Sequence, residues 1–194
     1  EHHDPAQARA LKKERHGLDE LSMDSTAGNF YPGLMASTTP PHIVILAGGA
    51  GKRMRISGPK ALHPVFFRPM IHYMLDAAMA IPHRSLGLVI GRDEREFREQ
   101  CRGYGDLRFF LQESPSGTAA ALLAAEPAMA DGGDVLILNA DAVLLSARTL
   151  TELLEHHAQT RAACTVGRAQ PDGEAAAWCF RVADLFGELK RAAP

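Results

Sequence analysis

The sequence predicts an α/β protein, a three-layer α/β/α sandwich on a Rossmann-like, mostly parallel sheet. Three observations carry that expectation. Short apolar runs alternate with segments of helical period, the pattern of βαβ units. The first run opens into a glycine-rich turn, Gly48-Gly49-Ala50-Gly51. Finally, the loops richest in chemistry all follow strands, and a parallel sheet gathers such loops beyond its carboxyl edge.

Taken in order, residues 43–46 are a buried strand, followed by the turn and by three cations, Lys52, Arg53 and Arg55. Residues 70–80 form a helix, with Met70, Ile71, Met74, Leu75 and Ala78 on one face. His72 falls on its solvated side. Strands are expected at 85–90, 107–112, 134–139, 162–167 and 177–182, and helices at 93–102, 117–125, 146–158 and 184–192. His156 and His157 are placed at the surface, and Pro171-Asp172-Gly173 makes a turn.

Residues 1–41 differ from the rest and form an N-terminal tail before a domain at 42–194. Within the tail, 5–21 has a thin apolar stripe (Leu11, Leu18, Leu21), enough for one polar helix, and 25–41 is a Ser/Thr/Gly/Pro-rich linker. The chain opens on Glu1 rather than Met, as a processed chain or a piece of a longer one does. A formal charge of −2 over 194 residues argues against bulk nucleic-acid binding, which needs a basic face. No apolar run approaches a membrane span. Cys101, Cys164 and Cys179 are odd in number and far apart, which suits buried thiols in a reducing compartment, the cytoplasm by default.

Three loops carry the chemistry. Glycines let the backbone turn several N–H groups toward one point, a nest that binds an anion, and phosphate is the anion that neighbouring cations favour. The stretch is not a P-loop, because Leu46 stands where the first glycine belongs and Arg53 follows Gly51-Lys52. It is not a dinucleotide fingerprint, because Met54 holds the third glycine position. Leu46, Ala47, Gly48, Gly49 and Gly51 are therefore expected to contact a nucleotide. Arg53 offers a planar fork of donors for phosphate oxygens, and Lys60 is either a second cation for the same group or a surface lysine. In the second loop Gln112 has the donor and acceptor needed to read a pyrimidine edge, Gly117 permits close approach of a base, and Thr118 either caps the next helix or reaches the ligand. In the third, Asp141 directly follows a buried strand; it either holds magnesium against phosphate or caps a turn.

Together, Leu-Ala-Gly-Gly-x-Gly-x-Arg-Met from Leu46, Pro59-Lys60-Ala61-Leu62-His63-Pro64, Arg68-Pro69-Met70, Gln112 with Thr118-Ala119, and Asp141 after its strand resemble one family. It is the pyrophosphorylase domain of bacterial bifunctional N-acetylglucosamine-1-phosphate uridylyltransferases, of nucleotide-diphospho-sugar transferase fold. The resemblance is good over residues 42–150 and loose beyond. It implies that Arg53 and Lys60 bind and activate the phosphates. Gln112, Gly117 and Thr118 would form the uridine site, and Asp141 would hold Mg2+. The implied substrates are a nucleoside triphosphate and a sugar 1-phosphate, with UMP transferred from UTP and pyrophosphate released.

Some positions depart from the family. Its Gly-Asp-x-Pro is here Ala140-Asp141-Ala142-Val143, and Ala175-Ala176-Ala177 stands where its sugar pocket has polar residues. Neither its second magnesium ligand nor its β-helix acetyltransferase domain has a counterpart in these residues. Two other readings stand beside the uridylyltransferase one. A compact nucleotidyltransferase similar to molybdenum-cofactor guanylyltransferases would use another acceptor, and a nucleotide-binding module would not catalyse at all.

Overall fold

Alternation along each strand decides where the core lies. The computed structural model describes residues 39–49, 58–113, 117–168 and 175–192. The helix expected at 5–21, most of the linker, the glycine and cations at 51–55 and the turn at 171–173 lie outside them.

The eight strands among the described residues are β1 (His42–Leu46), β2 (Pro64–Val65), β3 (Arg68–Pro69), β4 (Ser85–Ile90), β5 (Arg108–Leu111), β6 (Asp134–Asn139), β7 (Cys164–Arg168) and β8 (Ala175–Arg181). The helices are α1 (Met70–Met79), α2 (Glu94–Gln100), α3 (Thr118–Ala124), α4 (Ala147–Thr160) and α5 (Val182–Ala192). The main sheet runs β5-β4-β1-β6-β8-β7. From β5 to β6 every pairing is parallel, and β8 lies antiparallel between β6 and β7. Among the described residues no helix lies between β7 and β8, and two strands this near in sequence pair antiparallel without a crossover, which is why this edge departs from the parallel pattern.

Period two along the strands splits the core into the two expected faces. Ile43, Ile45, Leu86, Leu88, Leu136 and Leu138 pack with α1, α2 and α4 around Met74, Phe97 and Leu150. Val44, Val89, Val135 and Ile137 face the other way, onto Leu122 of α3 and Leu185 and Phe186 of α5. The sandwich therefore has three layers. A side chain on Gly87 would meet the Phe110 ring at 2.9 Å, so this glycine leaves the space on β4 that the Phe110 ring of β5 occupies.

Three side chains sit elsewhere than expected. His157 is 3% exposed: Leu150, Leu154 and His157 share one face of α4, and period outweighs polarity there. Its Nδ1 lies 2.8 Å from Thr165 Oγ1 of β7, so the ring is buried with a partner. Cys164, expected buried, is exposed on the edge strand β7, whereas Cys101 and Cys179 are buried. His72, expected on the solvated side of its helix, is half-buried, and its Nε2–H donates to the Gln100 carbonyl at 3.0 Å.

Burial holds the His157 imidazole below its ordinary value, with Asp134 opposing and Arg181 and His156 adding to the shift. The unfolded chain then binds a proton that the folded one resists. Stability is expected to fall as pH drops from 7 through about 6.5, the unfolded histidine value. His157→Gln, which cannot titrate, should flatten the acid limb of a urea-midpoint profile between about pH 7 and 5 relative to the unsubstituted protein.

The β2–β3 hairpin is turned by Phe66 and Phe67, with φ of 49° and 65°. Two positive φ values are the mark of the turn that favours Asn-Gly, and bulky side chains are strained there. Both rings are exposed, so they contribute little burial in exchange. Phe66→Asn with Phe67→Gly is expected to stabilise the fold by about 1–2 kcal/mol, read as a higher urea midpoint at unchanged slope.

Candidate active site

The sheet order reverses beside β1. The chain leaves β1 toward β4 and β5, then returns to place β6 on the other side. Loops that leave adjacent strands in opposite directions open a crevice at that point. The loop after β1 and the loop after β6 border it, and the backbone draws them together: Ala140 N–H donates to the Leu46 carbonyl at 3.1 Å.

Lys60 and Asp141 meet across this crevice. Lys60 Nζ donates to Asp141 Oδ2 at 2.5 Å, with the side chains 33% and 42% exposed. Lys60 begins a short 3-10 turn, Lys60–Leu62, whose hydrogen bond runs from His63 N–H to the Lys60 carbonyl at 3.0 Å. Its own N–H donates to the Gly49 carbonyl at 3.2 Å, closing the glycine loop at its base. Buried Ala61 pins this turn to the core beneath α1. The lysine backbone is thus fixed while its four-carbon stem is free to redirect the ammonium.

The second loop reaches the same place. The Gln112 N–H continues the β4–β5 ladder onto the Ile90 carbonyl at 2.8 Å, and its side-chain Nε2 donates to the Gly117 carbonyl at 3.1 Å. A Cβ on Gly48 would lie 2.8 Å from Gln112 Oε1, so the amide lies directly over the glycine loop. The amide ends a flexible side chain and can shift to relieve that contact. At Gly117, φ of 100° demands glycine for conformation. Gly117 is itself the N-cap of α3, without a side-chain cap, so Thr118 is exposed in the first turn rather than capping.

Leu46 ends β1 and Ala47 follows it, at the head of the same loop. The Ala47 methyl is in the core, 3% exposed, and its N–H donates to the Val89 carbonyl at 2.7 Å. The structure therefore brings Gly48, Gly49, Lys60, Gln112, Gly117 and Asp141 around one crevice. Gly51 and Arg53 lie outside the described residues. Asn139, given no role from the sequence, ties β6 to β8 through Nδ2 and the Ala175 carbonyl at 3.4 Å. Because β8 runs antiparallel, Ala175 and Ala176 fall at the crevice end of the sheet, and Ala177 is buried in the core behind them.

A metal requirement can be judged from the donors. Among the described residues no three His, Cys, Asp or Glu side chains cluster. Asp141 stands as one partly exposed carboxylate at the strand end. That set fits magnesium shared with phosphate oxygens and water, and does not fit an all-protein cage.

The MobA-like NTP transferase domain family matches over residues 43–194. The chain belongs to that family. Among curated relatives, the bifunctional protein GlmU of Pelobacter propionicus is 43% identical over 124 residues, which are 63% of this chain and 27% of that protein. The GlmU of Desulfotalea psychrophila is 36% identical over 158 residues, 81% of this chain and 46% of the relative. The chain thus spans between about a quarter and a half of the length of these relatives. A solved UDP-glucose pyrophosphorylase complexed with UDP-glucose superposes with a TM-score of 0.63 at 14% identity, covering 80% of this chain and 81% of its own. A 4-diphosphocytidyl-2C-methyl-D-erythritol synthase from Anaerococcus prevotii also gives 0.63 at 14% identity, covering 84% and 78%. These two share the fold, a nucleotidyltransferase sandwich with a mostly parallel sheet. No helix among the described residues is long and apolar enough to cross a membrane.

Proposed function

We propose that this domain transfers UMP from UTP to a sugar 1-phosphate, N-acetylglucosamine 1-phosphate, and releases pyrophosphate. The observation that carries the reading is the Lys60–Asp141 pair at the crevice where the sheet order reverses, with Gln112 laid over the glycine loop. A phosphate oxygen of the sugar 1-phosphate attacks the α-phosphorus of UTP. The new oxygen–phosphorus bond forms as the bond to the bridging oxygen breaks, and pyrophosphate departs with the electron pair. The protein forms no covalent bond; it positions and neutralises.

Lys60 meets the charge that builds on the phosphate oxygens, and Arg53 serves the same end. The amides of Gly48, Gly49 and Gly51 cradle the phosphate tail, and Gln112, Gly117 and Thr118 face the base. Asp141 would hold magnesium, which when bound polarises the phosphates it shares and neutralises the leaving group.

The alanines that open β8 favour a second reading, because a sugar with several hydroxyls wants polar residues at that end of the sheet. In that reading the domain is a compact nucleotidyltransferase, guanylyl-transferring like the molybdenum-cofactor enzymes, with another acceptor. One assay separates the two. Purified protein is screened with UTP or GTP against sugar 1-phosphates, reading pyrophosphate with and without magnesium. Release from UTP and N-acetylglucosamine 1-phosphate supports the first reading. GTP outcompeting UTP supports the second, and binding of UTP without release would mean a module that has lost catalysis.

A further inference from the structure

The Lys60–Asp141 contact joins the residue assigned to the phosphates and the residue assigned to the metal at 2.5 Å. At that separation the carboxylate oxygen facing the crevice is already compensated by an ammonium. The pair has no net charge. A divalent ion approaching it meets no net attraction and must also displace a charge-assisted hydrogen bond. Magnesium, which gives up its water reluctantly, gains little from such a site.

The position of the lysine backbone supplies the way out. Lys60 N–H bonds to the Gly49 carbonyl, so the root of the side chain is fixed at the base of the glycine loop. A phosphate held at the Gly48 and Gly49 amides would compete for the ammonium, and reorienting the stem would transfer the charge from Asp141 to the phosphate. Both side chains are about one-third to two-fifths exposed, so neither is locked by packing.

We infer that Lys60 and the metal compete for Asp141, so that metal binding is coupled to nucleotide binding: the triphosphate draws Lys60 away and frees the carboxylate. The inference rests on Asp141 being the metal ligand, and it gives Lys60 the part of holding that carboxylate until a phosphate arrives. Linkage makes the coupling reciprocal, so the metal in turn strengthens the hold of Lys60 on phosphate.

The test uses Mn2+ alone, with no nucleotide present, and reads free manganese by electron paramagnetic resonance. Lys60→Met is expected to bind Mn2+ about tenfold or more tightly than the unsubstituted protein, within the usual range for coupled sites. Lys60→Arg, which keeps a cation, should behave as the unsubstituted chain. Adding Asp141→Asn to Lys60→Met should remove the gain. Equal Mn2+ affinity in the Met variant and the unsubstituted protein overturns the proposal, as does a gain that survives Asp141→Asn. Since no nucleotide or acceptor enters this titration, its result is independent of whether UTP is the true donor. Failure of the uridylyl reading would appear only in the pyrophosphate assay.

Discussion

Lys60→Ala is expected to lower kcat for pyrophosphate release by about two to three orders of magnitude, the usual effect of removing one preorganised group that meets developing charge. The loss should fall more on kcat than on KM, because the ammonium is worth most where charge builds in the transition state. Stability should hardly respond. The pair with Asp141 is substantially exposed, and ion pairs of that kind contribute about 0–1 kcal/mol to folding. A melting curve near that of the unsubstituted protein together with a collapsed rate would assign the residue to chemistry. Turnover within a few-fold of normal would return Lys60 to the status of a surface cation that happens to touch an aspartate.

That contact could not be read from the chain. Lys60 and Asp141 are 81 residues apart, and what joins them is the placement of β6 against β1 after β4 and β5 have been laid on the other flank. A parallel sheet was legible from alternating runs, but strand order is a long-range choice that local period does not encode. The sequence marked each residue as chemically suited and named the edge of the sheet where such residues gather. It did not say that the two would pair, nor that Gln112 would press against Gly48.

Helices and strands were legible where period was strong, as in α1 and β4. Their ends moved where it was weak. The expected strand at 177–182 begins instead at Ala175, because pairing to β7 recruits alanines whose own β-propensity is poor. His157 is the opposite case: the signal was present, three residues after Leu154 and seven after Leu150, but the His156-His157 doublet suggested solvent. Its burial was readable from spacing, given the Thr165 hydroxyl that satisfies it. The outward turn of Cys164 depended on β7 being an edge strand, which only the assembled sheet reveals.

Asp141→Asn is expected to cut pyrophosphate release by about a hundredfold or more and to shift its magnesium dependence to higher concentration. The amide keeps the shape of the carboxylate and one neutral oxygen but loses the charge that a hard cation requires. Lys60→Ala should leave the magnesium midpoint closer to normal while lowering the plateau, so titrating rate against metal separates the two roles. The double variant carries the sharper prediction. In the proposed reaction both residues act on one phosphate–metal unit, so removing the second should cost less than it does alone, and the combined loss should fall well short of the product of the single losses. Fully multiplicative losses would mean that the two side chains serve independent steps. The direct bond between them would then be a surface ion pair rather than a shared catalytic element.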